Sequence, residues 1–221
     1  MKLLQEAMIK FISGVILLAL LLFIPAGTFK WFNAWFLMGL LFIPMFIAGL
    51  VMYFKAPDLL RSRLKAKESE GAQRKVIGAS AIMFILVFVL AGLNYRFHWH
   101  QASNKFVVIG VVIFILSYLL FGEVLRENAY LSRTIEVQEN QKVVDTGLYG
   151  VVRHPMYVVV IFLFLSMPLI LNSVFSLFVM LSIIPILVKR IKNEEEVLEK
   201  ELVGYKEYKT KVKYRLIPFI Y

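Results

Sequence analysis

The chain has 221 residues, 60% of them hydrophobic and 14% aromatic, with a mean hydropathy of +0.74 and a formal net charge of +10. Soluble domains are nearer half apolar, so this composition excludes one and points to a polytopic membrane protein. The absence of cysteine excludes disulfides, thiolate nucleophiles and Cys-type zinc sites.

Six apolar segments follow in chain order, at about 8–25, 33–54, 76–95, 106–122, 156–171 and 174–188, to be compared with the roughly 20 residues a helix needs to span a bilayer. The first, FISGVILLALLLFIPAG, is long for the apolar core of a secretory signal and lacks a following A-x-A site, so it reads as a retained helix. Trp31, Trp35 and Phe36 stand at the start of the second segment, as interfacial aromatics do. The connector 55–75, KAPDLLRSRLKAKESEGAQRK, reads as a basic surface segment with Leu59, Leu60 and Leu64 along the bilayer. His98-Trp99-His100 has the spacing of a metal-binding pair. Zinc sites need three or four ligands, and no third is close in sequence, so the pair is read as interfacial and no metal is assigned. Only Asn172-Ser173 separates the last two segments, which predicts a tight helical hairpin. Pro185 is placed to kink its second arm, and VKRIKNEEEVLEKEL continues as a charged exit helix. The expected fold is all-α, with about six transmembrane helices. Residues 1–122 form a four-span region, and residues 123–221 a core of motif, hairpin and exit helix.

The basic residues are distributed by side. With six crossings, Lys2 and Lys10, seven Lys/Arg in 55–75, four in 123–155 and nine from Lys189 onward share one side, against Lys30, Arg96 and Lys105 on the other. The positive-inside rule makes the first side cytoplasmic, with both termini on it. The basic excess then reports topology and contact with anionic lipid, and no nucleic-acid partner is expected. In the absence of an organelle signal, a prokaryotic plasma membrane is the expected location.

Both ends of the hairpin return to that basic side. At the entry stands GLYGVVRHPMY, residues 147–157. Proline after His154 reads as the first position of a helix, whose free amides and dipole favour an anion. Arg153 adds charge, Tyr149 and Tyr157 add aromatic faces, and Gly147 and Gly150 allow a tight turn. At the exit, Arg190 and Glu194 are four residues apart and share a helical face. Arg190 lies deep, where its fork suits a carboxylate or phosphate. Glu195, Glu196, Glu199 and Glu201 read as a solvated face.

TGLYGVVRHPMY, a helical hairpin, the spaced Arg190 and Glu194, GYKEY and a terminal IPF together resemble the isoprenylcysteine carboxyl methyltransferase family, which is related to membrane phospholipid methyltransferases. The resemblance covers about residues 123–221. It implies an integral membrane methyltransferase that uses S-adenosylmethionine to methylate a lipophilic acceptor, most simply a carboxylate, on a prenylated or other lipid substrate. By motif position it implies that Gln138, Lys142, Val143, Val144 and Tyr149 lie on the approach to the cofactor, with His154, Pro155, Met156 and Tyr157 at it. Glu194 would bind the cofactor, and Arg190 would face the substrate carboxylate as the catalytic residue. Two positions depart from the pattern. Gln141 stands where members acting on prenylated proteins carry histidine, and LVGY (202–205) stands where they carry an FG-x-x-Y element. Two other classes compete: a nicotinamide-dependent membrane reductase, and a non-catalytic lipid- or partner-binding protein in which Arg190 and Glu194 simply pair with each other.

Overall fold

The computed structural model describes residues 2–64, 71–99, 103–132 and 134–221. His100 and part of the basic connector, 65–70, fall outside the described residues. The described residues are all-helical: α1 (Lys2–Ala26), α2 (Phe32–Lys55), α3 (Pro57–Leu64), α4 (Gly71–Phe97), α5 (Asn104–Glu127), α6 (Pro155–Ile170), α7 (Val174–Met180), α8 (Ile183–Glu201) and α9 (Tyr205–Lys211), with a 3-10 turn at Gly147–Gly150. Five stretches are long and apolar enough to cross a membrane: α1, α2, Arg74–Phe97 of α4, α5, and Val174–Glu201. The expected sixth, α6, has only 16 residues, about 24 Å at ~1.5 Å per residue, against a hydrocarbon core of about 30 Å.

Two close helix contacts organise the bundle, and both require glycine. A Cβ on Gly110 of α5 would fall 2.7 Å from Leu169 Cβ of α6, and one on Gly92 of α4 would fall 2.7 Å from the Leu22 carbonyl of α1. Small residues let helix backbones approach inside a bilayer, where no hydrophobic force drives association. Around these contacts Leu22, Leu37, Val87, Phe114, Ile170, Met180, Ile183 and Ile191 form a core that is almost wholly buried.

The α6–α7 hairpin is as tight as its two-residue connection requires. Asn172 adopts φ 55° at the turn, a conformation asparagine tolerates better than most residues. Side chains from other helices pin this turn: Asn33 donates to the Ile170 carbonyl at 2.8 Å and Asn94 to the Asn172 carbonyl at 3.4 Å. The Ser176 hydroxyl in turn donates to Val87 O at 2.9 Å. The second arm is interrupted at Leu181 and Ser182, between α7 and α8, ahead of Pro185 and not at it. A proline ring clashes with the carbonyl four residues earlier. That carbonyl belongs to Leu181, so the break sits where helical continuity is lost.

The connector departs from expectation in one respect. Leu60 is buried in α3, which packs on α1 and α2, so this leucine faces protein and not the bilayer surface. The Ser132 hydroxyl reaches the Ser62 carbonyl at 3.4 Å, and the Arg63 guanidinium sits 5.4 Å from the Phe121 ring centre. These contacts hold α3 against the segment that walls the candidate site.

Candidate active site

The site forms where α6 begins. His154 takes the capping position and Pro155 the first helical position, where a missing N–H loses no helical bond. The turn before them is fixed by Glu127, the last residue of α5, whose carboxylate accepts the Leu148 N–H at 3.0 and 3.2 Å. Gly147 makes this possible. Its φ is +51°, and a Cβ there would lie 1.5 Å from Glu127 Oε1.

Sequence reasoning gives Arg153 and the amides around His154 to an incoming anion; the structure spends both on the protein. The Arg153 and His154 N–H groups donate to the carbonyls of Tyr214 and Arg215, each at 2.9 Å. Arg153 is buried: Nε donates to Glu195 Oε1 at 2.8 Å, and Nη1 donates to the Val212 and Lys213 carbonyls at 2.7 Å each. Glu195 is likewise no part of a solvated face. Only 3% of it is exposed, and its carboxylate also meets His154 Nε2 at 3.2 Å and accepts from Arg215 Nε at 2.8 Å. A carboxylate can only accept, so His154 Nε2 carries the proton in that contact. Glu195 thus joins α8, the start of α6 and the C-terminal strap 212–216. Its neighbour Glu196 is exposed, as expected.

One helical step away, Glu194 faces a different group. The Tyr157 hydroxyl donates to Glu194 Oε2 at 2.5 Å and accepts from Arg190 Nε at 3.0 Å. Arg190 and Glu194 are therefore linked through Tyr157, which belongs to the entry motif.

These groups border a cleft that is partly open to solvent. Of the residues singled out in the sequence, Lys142, Val143, Val144, Tyr149, His154, Met156, Tyr157 and Glu194 line it. Gln138 does not. Its side chain donates to the Tyr130 carbonyl at 2.7 Å, and its N–H donates to Gln141 Oε1 at 2.8 Å, so it holds the wall from behind. Pro155 is buried at the helix start, and Arg190 reaches the site through Tyr157. Sequence reasoning missed the α9 wall, formed by Tyr205 and Tyr208 after Gly204 at φ +86°. The Tyr208 hydroxyl donates to the Tyr149 carbonyl at 2.7 Å, tying α9 to the 3-10 turn. Burial pushes the Tyr149 phenol up to about 12 and raises Tyr205 and Tyr208 as well, so all three stay protonated at neutral pH. The repeat of tyrosine at a three-residue spacing was the available sequence signal.

Residues 106–200 match the isoprenylcysteine carboxyl methyltransferase (ICMT) family. The matched segment begins in α5 and runs to the end of α8, so it contains the entry motif, the hairpin and the relay of Arg190, Tyr157 and Glu194. The match covers somewhat less than half of the chain, and it favours a methyltransferase over the reductase alternative. The chain also aligns with a solved structure of the eukaryotic intramembrane Ras methyltransferase ICMT, with 17% identity over 96% of this chain and 84% of that one, at a TM-score of 0.49.

Proposed function

We propose that the cleft at the start of α6 is where this methyltransferase holds S-adenosylmethionine and meets a lipophilic carboxylic acid of isoprenylcysteine type. The observation that carries the reading is the Arg190–Tyr157–Glu194 relay, which sets a guanidinium and a carboxylate on either side of one buried phenol at the edge of the cleft. The lining fits the cofactor: it offers a carboxylate, aromatic faces and an apolar wall, and includes a buried phenol that no protein group satisfies.

When bound, the cofactor supplies an electrophilic methyl carbon on a sulfonium; the acceptor carboxylate oxygen bonds to that carbon while the carbon–sulfur pair leaves with sulfur. No proton moves, so the chain needs to supply orientation and charge, where positioning alone is worth about 7–11 kcal/mol. Glu194 suits the ribose hydroxyls or the ammonium of the cofactor. Lys142, Val143, Val144, Tyr149, His154 and Met156 border its approach, and the Tyr149 and Tyr157 rings offer cation–π faces to positive charge. Gln138 and Pro155 act through the shape of the wall and the helix start. Arg190, held by Tyr157, orients the acceptor carboxylate. Residues 123–221 are the catalytic core in this reading, 1–122 its membrane scaffold, and the basic side with both termini is cytoplasmic.

The test is transfer of labelled methyl from S-adenosylmethionine to an N-acetyl-S-prenylcysteine in detergent or vesicles. Label released as methanol by mild alkali identifies a carboxyl ester, whereas base-stable label would identify an amine acceptor and overturn the carboxylate assignment. Glu194→Gln should abolish both the transfer and calorimetric binding of S-adenosylhomocysteine.

A further inference from the structure

The cleft is lined by charged groups, among them Glu194, His154 and Lys142, and by an apolar cluster in which Val143, Leu198 and Leu202 pack with Tyr205 and Tyr208. Within that cluster, Tyr205 is 4% exposed, and its hydroxyl is buried without a hydrogen-bond partner. The second phenol is already satisfied, since Tyr208 donates to the Tyr149 carbonyl. An unmade hydrogen bond at a buried hydroxyl costs about 1–3 kcal/mol, so the unpaired phenol calls for an acceptor that the protein does not provide.

Tyr205 opens α9 directly after Gly204, whose φ of +86° is open to glycine at little cost. The shortened LVGY element therefore sets the ring against Val143 and Leu202 in the same cluster. Apolar walls and one phenolic donor suit a flat heteroaromatic ring that has nitrogen acceptors on its edge. They do not suit the charged amino-acid end of the cofactor, for which Glu194 and Lys142 of the same lining supply charge.

Building on the cofactor reading above, we propose that Tyr205 is a cofactor-binding residue that donates to a ring nitrogen of the adenine, with Val143, Leu198 and Leu202 forming the slot for the base. The subsite selects a purine by its acceptor edge.

Calorimetry on the full-length protein in detergent tests this with two probes, S-adenosylhomocysteine and 5′-methylthioadenosine, which keeps the base and ribose but lacks the amino-acid end. Tyr205→Phe should weaken both by a similar factor, about fivefold for one neutral hydrogen bond. The thermal midpoint of the ligand-free variant should not fall, because the hydroxyl removed has no protein partner. Loss of affinity for S-adenosylhomocysteine alone would put Tyr205 at the amino-acid end and overturn the assignment. Unchanged affinity for both probes, or a clearly lowered ligand-free midpoint, would overturn it as well. If the wild-type protein binds neither probe, the cofactor reading fails and the subsite falls with it; wild-type binding that ignores Tyr205→Phe removes only the subsite.

Discussion

The acidic triplet on α8 offers a comparison within three consecutive residues. Glu195→Ala would remove the carboxylate that holds Arg153, His154 and Arg215, while Glu196→Ala would change an exposed neighbour. The Arg153 and Glu195 side chains are only 4% and 3% exposed. Removing one member of a buried ion pair typically costs about 3–5 kcal/mol because the other charge is stranded. Two features place this case toward the lower end. Arg153 Nη1 keeps its bonds to the Val212 and Lys213 carbonyls, and Arg215, whose side chain is 26% exposed, can turn to water. For a chain of this size, about 3 kcal/mol lowers a thermal midpoint by roughly 6–12 °C, whereas Glu196→Ala stays within about 0.5 kcal/mol of wild type. Thermal unfolding of the detergent-purified variants, followed by a fluorescent probe, measures the difference. Replacing the pair together, as Arg153→Met with Glu195→Leu, should restore part of the loss, because an apolar pair is tolerated better than half an ionic one. Equal midpoints for Glu195→Ala and Glu196→Ala would refute the idea that Glu195 clamps the strap.

Gly147→Ala should destabilise by about 2–4 kcal/mol, combining the left-handed backbone penalty with displacement of the Glu127 carboxylate from the Leu148 N–H; the same unfolding assay reads it. Tyr157→Phe removes the hydroxyl between Arg190 and Glu194 and should lower kcat/KM for the acceptor at least tenfold, about 1.4 kcal/mol, with steady-state methyl transfer as the readout. Because burial raises the phenols of Tyr149, Tyr205 and Tyr208, their neutral form is favoured in the fold. Their contribution is fully present below the ordinary tyrosine value near 10 and is lost only as pH rises through the higher folded values. Affinity for 5′-methylthioadenosine, which carries no titrating amine, should therefore be level between pH 7.5 and 9.5. The cysteine-free chain also permits single-cysteine labelling: Ser62→Cys and Thr210→Cys should react with an impermeant maleimide only from the cytoplasmic side, and Thr28→Cys only from the other.

Much of this architecture could be read from local pattern. The helix start at Pro155 and the hairpin at Asn172-Ser173 each depend on a few adjacent residues, and the Arg190–Glu194 spacing depends on one helical face. All three are present in the fold, with Tyr157 added between the last two. The parts that could not be read depend on distant partners. Glu195 and Glu196 are chemically identical in sequence. Only the fold brings Arg153, 42 positions away, to one of them. For the same reason Arg153 looked available to an anion, although its charge is matched by Glu195 and its remaining donors by the 212–213 carbonyls. Leu60 read as bilayer-facing because amphipathic patterning reports an apolar face without reporting what covers it. The α9 wall of the cleft lies just past the matched family segment, and its approach to Val143 depends on the fold of a loop with no regular period.

The short first arm of the hairpin has a kinetic consequence. With its hairpin end at the far boundary of the hydrocarbon, a helix about 6 Å shorter than that layer would set the proposed site at its start below the level of the headgroups. A substrate carrying a long lipid tail can then be processed without leaving its leaflet. The encounter becomes a two-dimensional search, and the relevant substrate concentration is its mole fraction among lipids. Adding inert phospholipid at constant substrate and enzyme should slow turnover by surface dilution, while doubling the aqueous volume should leave it unchanged.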